Sequence, residues 1–173
     1  PLDEERSCGG SSGGAAGITQ ALDFPHIALA ESTGGSISCP AAFCAAVGLT
    51  PTYGLVSRYG LIDYANSLDK IGPIGKKVYD VALMLSVIAG HDKRDSTSVN
   101  KLPHDYTSFK RTDLKGMRIG VPKEYLKRLD KQIEKEFWNS IKKLESLGAT
   151  YEEVSLPHTK FALASYYIIA TAE

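Results

Sequence analysis

Residues 117–154 read MRIGVPKEYLKRLDKQIEKEFWNSIKKLESLGATYEEV, and this stretch decides the fold class. Met117 to Val121 is a strand candidate, closed by Pro122, which cannot donate to a ladder. From Asp130 to Leu147 the apolar residues Ile133, Phe137, Ile141, Leu144 and Leu147 fall on one helical face, and Gly148 follows as a stop. Thr150 to Val154 then resumes an extended pattern. Strand, helix and strand within about 40 residues make a βαβ signature with parallel pairing, so the expected class is α/β.

Beyond this unit, Phe161 to Ala172 predicts another helix. On the other side, residues 91–113 are polar and broken by Pro103, a surface connection. Val78, Val81, Ala82, Leu85, Ile88 and Ala89 have helical periodicity, ended by Gly90. Residues 49–77 are punctuated by glycine and proline (RYG at 58–60, KIGPIG at 70–75), which predicts an ordered loop with brief extended pieces. PAAFCAAV at 40–47 predicts a helix capped by Gly48, HIALA at 26–30 a short buried strand, and Ala15 to Leu22 a short helix.

The composition is that of a globular domain: 173 residues, 43% apolar and 23% charged, room for a single core. Twenty basic and 20 acidic residues cancel, which gives no electrostatic reason for direct nucleic-acid or membrane-surface binding. No apolar run is long enough to span a bilayer, and the N-terminus lacks the pattern of a signal peptide. Cys8, Cys39 and Cys44 form an odd set without CxxC spacing, which predicts a reduced, intracellular protein. His26, His91, His104 and His158 are scattered away from ligand spacing, and no metal is expected. A first residue other than Met, and a last residue inside an expected helix, predict an internal piece of a longer polypeptide.

Two glycine-serine segments carry the chemistry: GGSSGG at 9–14 and STGGS at 32–36. Glycine lets the backbone approach a ligand and turn successive N–H groups inward as an anion nest. A serine at the end of such a nest can attack a carbonyl while the nest holds the oxyanion, each donor contributing roughly 3–4 kcal/mol. Three other readings of these segments are open. A flexible linker fits poorly between alanine-rich apolar stretches. A phosphate loop needs GxxxxGK[ST], which GPIGKK at 72–77 does not supply. Residues 9–13 also satisfy G-x-S-x-G around Ser11, yet DEERSC before them makes a poor elbow strand. Spacing alone indicates only a hydroxyl nucleophile with a second hydroxyl nearby.

GGSSGG, the 25 residues from Ser11 to Ser36, and TGGSISCPAAFCAAVGLTPTYG resemble the amidase signature family. VSRYGLIDYANSLDKIGPIG and GMRIGVPKEYL extend the resemblance along the whole chain, towards the branch that serves tRNA-dependent amidation. The resemblance implies a mixed twisted sheet covered by helices on both faces. Residues 1–173 would be the central part of a single amidase domain, with a lysine-bearing N-terminal part and a C-terminal part outside it. It implies Ser36 as the acylated nucleophile and Ser11, on a cis peptide, as proton bridge to a lysine. The amides of Thr33, Gly34, Gly35 and Ser36 would form the oxyanion hole, with Ser12 as loop support. That lysine lies upstream of the loop in the family, and none of Lys70, Lys76 or Lys77 matches it, so the fragment alone is expected to be inactive. Where many members carry Asp and Arg, this chain has Ser32 and Ser38.

The implied activity is hydrolysis of glutamine. The ammonia would pass to amidotransferase B and small C subunits, which amidate Glu-tRNA(Gln) to Gln-tRNA(Gln). ATP and Mg²⁺ would be used by the partner, with no cofactor on this chain, and the setting would be cytoplasmic. Tyr166 and Tyr167 are candidates for the substrate pocket or for helix packing. Cys39 and Cys44, without a basic neighbour to form a thiolate, are expected to pack. Arg58, Tyr59, Asp69 and Lys70 are expected to be structural or interface residues. A stand-alone amidase of the same family, or a non-catalytic assembly module lacking the lysine, are the alternatives.

Overall fold

The computed structural model describes residues 3–100, 104–108 and 113–173, so the expected break at Pro103 lies outside the described residues. The chain forms two compact units, Pro1–Ser108 with Ile168–Glu173, and Phe109–Tyr167.

The first unit is organised by an antiparallel sheet in the order β1-β3-β2, where β1 is Ala28–Ser32, β2 Val47–Gly48 and β3 Lys70–Gly75. Helix α1 (Gly13–Ala21) packs against β1 and β3, α2 (Ser38–Phe43) against β2, and α3 (Val78–Ile88) against β3. Ala16, Ile37, Cys44 and Ile74 make one buried cluster, and Leu55, Val56, Leu85 and Ala89 another. Burial of each large side chain contributes about 1.5–3 kcal/mol.

Helix α3 follows the expected span, with Val81, Ala82 and Leu85 turned inward, whereas Val78 at its start is 60% exposed. Three other elements differ from expectation. β1 starts two residues later than HIALA and runs directly into the glycine turn. Helix α2 ends at Phe43, well before Gly48. Its last carbonyls are closed by Ala45 N–H to Ala42 O (3.5 Å) and Ala46 N–H to Ala41 O (2.8 Å), with Ala45 left-handed at φ 54°. That is a Schellman closure with alanine where glycine is usual, so the sequence carries no stop signal there. Gly48 serves packing instead, since a Cβ on it would come within 2.8 Å of Ala41 Cβ and 2.9 Å of Ile37 Cγ2.

The third difference is β3, a six-residue central strand drawn from a segment that reads as loop. Proline is normally excluded from central strands because it lacks a ladder donor. Leu49 N–H donates to Pro73 O at 3.0 Å, so residue 73 turns its hydrogen-bonding edge towards β2, just past the end of that two-residue strand. The ladder to β1, in the register Ala28↔Ile74 to Ser32↔Lys70, is left whole.

In the second unit β4 (Arg118–Pro122) and β5 (Thr150–Val154) pair in parallel, with α4 (Lys131–Ser146) between them in sequence. The βαβ reading is borne out. Asp130 caps α4 by accepting from the Gln132 and Ile133 amides. Ile141 is buried and Phe137 and Leu144 half-buried, whereas Ile133 in the first turn is 60% exposed. A 3-10 turn, Pro157–Phe161, precedes α5 (Ala162–Ala172). The α/β class holds, its antiparallel and parallel parts divided between two small sheets.

Candidate active site

The first loop, residues 8–12, enters α1 at Gly13. Gly9 is left-handed at φ 69°, and a Cβ there would meet Cys39 Sγ at 3.0 Å and Pro40 Cα at 3.3 Å. Glycine thus lets this loop lie on α2. The Gly10–Ser11 peptide bond is cis. Ser12 stands at the N-cap of α1, but its side chain does not cap the helix. Its N–H donates to Ser36 O at 3.2 Å and its hydroxyl to Glu31 O at 3.2 Å. Two segments 25 residues apart from serine to serine are therefore fastened together through Ser12. Among the described residues no strand precedes Ser11, so the G-x-S-x-G elbow finds no support.

The second loop leaves β1 at the buried Ser32 and reaches α2 at Ser38. Both serines hold Gly35: its N–H donates to Ser32 Oγ (3.2 Å), and its carbonyl accepts from Ser38 Oγ (3.3 Å). Two neutral hydroxyls thus brace the turn where many family members carry charges. Of the four amides expected to face an oxyanion, that of Gly35 is engaged by Ser32. Among the described residues those of Thr33, Gly34 and Ser36 have no partner within the chain. Ser36 is half-buried and Ser11 exposed.

Asp69 belongs to this site, and the sequence reading assigned it only a structural role. It is fully buried, and its Oδ1 accepts from the Thr33 hydroxyl at 2.7 Å. Its Oδ2 accepts the amides of Tyr64 (2.6 Å) and Ala65 (3.0 Å). Burial by itself would raise this carboxyl, but the bonds from Thr33, Tyr64 and Ala65, with the Arg58 charge, bring it below the ordinary carboxylate range. Glu31 Oε1 also approaches Thr33 Oγ1, at 3.1 Å. Burial pushes the Glu31 carboxyl up, opposed by the Thr33 contact, with Asp69 adding to the rise and Lys70 resisting it.

The other candidates fall elsewhere. Arg58 stacks on the Tyr53 ring and donates to Tyr53 Oη, Asn66 and Thr97 Oγ1, a loop-joining role. Lys70 Nζ donates to Leu68 O, and Lys76 Nζ to Leu22 O. Cys44 is buried in the core, with Cys8 packed against it. Tyr166 and Tyr167 lie edge to face on α5, their rings 5.2 Å apart, in the second unit. Among the described residues no group of three His, Cys, Asp or Glu side chains could hold a metal, and no helix is long and apolar enough to cross a membrane.

The chain is similar to known proteins along its whole length. The A subunit of glutamyl-tRNA(Gln) amidotransferase from Methanosarcina mazei is 54% identical over the whole chain, which spans 36% of that protein. The crystal structure of the corresponding A subunit from Thermotoga maritima superposes with a TM-score of 0.91 at 45% identity, covering 99% of this chain and 38% of that one. The native peptide amidase of Stenotrophomonas maltophilia gives 0.82 at 36% identity, over 92% of this chain and 33% of that one. The Amidase family matches residues 1–173, and the chain belongs to it, the family of the amidase signature enzymes.

Proposed function

We propose that this chain is the acyl-transfer part of a glutamine-hydrolysing subunit that supplies ammonia for converting Glu-tRNA(Gln) to Gln-tRNA(Gln). The observation that carries the reading is the joining of the two glycine-serine loops by Ser12, with unpartnered amides at Thr33, Gly34 and Ser36 among the described residues. Ser36 Oγ attacks the carboxamide carbon and gives its proton to Ser11. The amides of Thr33, Gly34 and Ser36 hold the tetrahedral oxyanion in a ring braced at Gly35. Ammonia leaves with a proton returned through Ser11, and water then cleaves the glutamyl ester on Ser36 by the reverse relay.

A hydroxyl nucleophile needs an adjacent base. Lys70 and Lys76 are committed to main-chain carbonyls, and the resemblance to the family implies a lysine of the complete protein as the base. Without it the fragment is inactive. ATP, Mg²⁺ and tRNA belong to the B subunit, with a small C subunit completing a cytoplasmic assembly.

The similarity to a peptide amidase favours a second reading, a free-standing amidase. Ammonia release from L-glutamine by the full-length protein, with and without partner subunits and Glu-tRNA(Gln), separates the two. A dependent subunit responds to both additions, and a free-standing enzyme to neither. Ser36→Ala should abolish release and block covalent labelling by a glutamine-mimicking electrophile; substantial residual turnover would rule out Ser36 as the nucleophile.

A further inference from the structure

We infer that Asp69 is a positioning residue for amide hydrolysis, fixing the first amide of the oxyanion ring through the Thr33 hydroxyl; this rests on the acyl-enzyme reading of Ser36. The β1–β3 ladder ends at Ser32↔Lys70, and the next pair in that register is Thr33 with Asp69. Here the main chains part and the side chains take over, Thr33 Oγ1 donating to Asp69 Oδ1 at 2.7 Å. The other Asp69 oxygen grips the Tyr64 and Ala65 amides, so the carboxylate is clamped before it meets Thr33.

Gly34 and Gly35 give the ring an unrestricted backbone, and its geometry must be imposed from outside. Ser32 and Ser38 fix the centre of the ring at Gly35. Asp69 fixes its beginning. Thr33 has one hydroxyl proton and two carboxylate neighbours; the shorter contact assigns that proton to Asp69. Glu31 Oε1 stands on the same oxygen at 3.1 Å as a second, longer acceptor, and burial pushes its carboxyl up. The buried Asp69 carboxylate is the nearer of the two acceptors of the Thr33 hydroxyl, with Arg58 beside Asp69 and Lys70 beside Glu31.

The test uses the full-length polypeptide with its partner subunits and L-glutamine. Thr33→Val keeps the shape and deletes the hydroxyl. We expect kcat to fall about 10- to 100-fold with KM within about twofold, as for a misplaced oxyanion donor. Thr33→Ser should restore kcat to within about threefold. The γ-aldehyde analogue of glutamine, which forms a tetrahedral adduct, should lose affinity in Thr33→Val by the same factor as kcat. Asp69→Asn should lower kcat in the same sense, and adding Thr33→Val to it should cost little more, the non-additivity of one connected unit. If Asp69→Asn fails to fold, the valine and serine variants still decide. The inference is overturned if Thr33→Val keeps kcat within twofold of the parent, or if it loses melting temperature and activity together and serine does not restore them. Ser36→Ala run in parallel separates the two failures. Its inactivity beside an unaffected Thr33→Val sinks the positioning role alone, and its retained activity sinks the acyl-enzyme reading as well.

Discussion

In the second unit one capped helix and the two parallel strands it links shape the structure. Asp130 accepts the amides two and three residues on, Gly148 closes α4 at φ 101°, and the paired strands are separated by that one helix. The site-bearing part of the first unit is assembled instead where loops and strand ends cross. Thr33 reaches Asp69 across 36 positions, Ser12 joins Ser36, and Gly72 lies under Leu49. The difference teaches where each unit is vulnerable. A cap or a turn contributes singly and modestly, whereas a close backbone crossing such as Gly72 under Leu49 leaves no room for an added side chain.

The sharpest way to break this contrast is Gly72→Ala. A Cβ at Gly72 would overlap Leu49 O and stand 2.8 Å from Pro51 Cδ, both part of an ordered backbone path. Thermal unfolding should show a loss of about 3 kcal/mol or more, and Ser36 labelling should fall with it; a variant of parental stability would show that the crossing is looser than described. Asp130→Ala should have a smaller effect, about 1 kcal/mol, read by denaturant unfolding and by faster amide exchange confined to the first turn of α4. Glu124 gives the smallest effect. The Leu156 amide and the Ser155 hydroxyl hold its carboxyl down to about 2 from an ordinary 4.5. A carboxyl lowered on folding stabilises above its ordinary value and loses that contribution as pH falls from about 4.5 towards 2. Glu124→Gln should therefore flatten the acid limb of stability in that window and leave the two proteins alike near pH 2. A pH dependence equal to the parent's would place the acid sensitivity elsewhere.

What could be read from the sequence follows the same division. The βαβ unit and α3 show plainly in apolar periodicity, because both faces of those elements are set by residues three or four positions apart. The two glycine-serine loops were legible as chemistry, and their joining was implied by family likeness. Three features were not. β3 reads as loop because its glycine and proline answer to Leu49 and Pro51, residues more than 20 positions earlier. The end of α2 is hidden because an alanine takes the left-handed position. Asp69 carries no local signal at all: an acidic residue before KIGPIG looks like any loop carboxylate until the register of β1 sets Thr33 against it.

Pro73 has a consequence for the integrity of the sheet. A foreign strand competing for the place of β2 would find at residue 73 an acceptor without its companion donor, so pairing there is one hydrogen bond short. The proline thereby protects the sheet beneath the glycine-serine loops from strand exchange on that side.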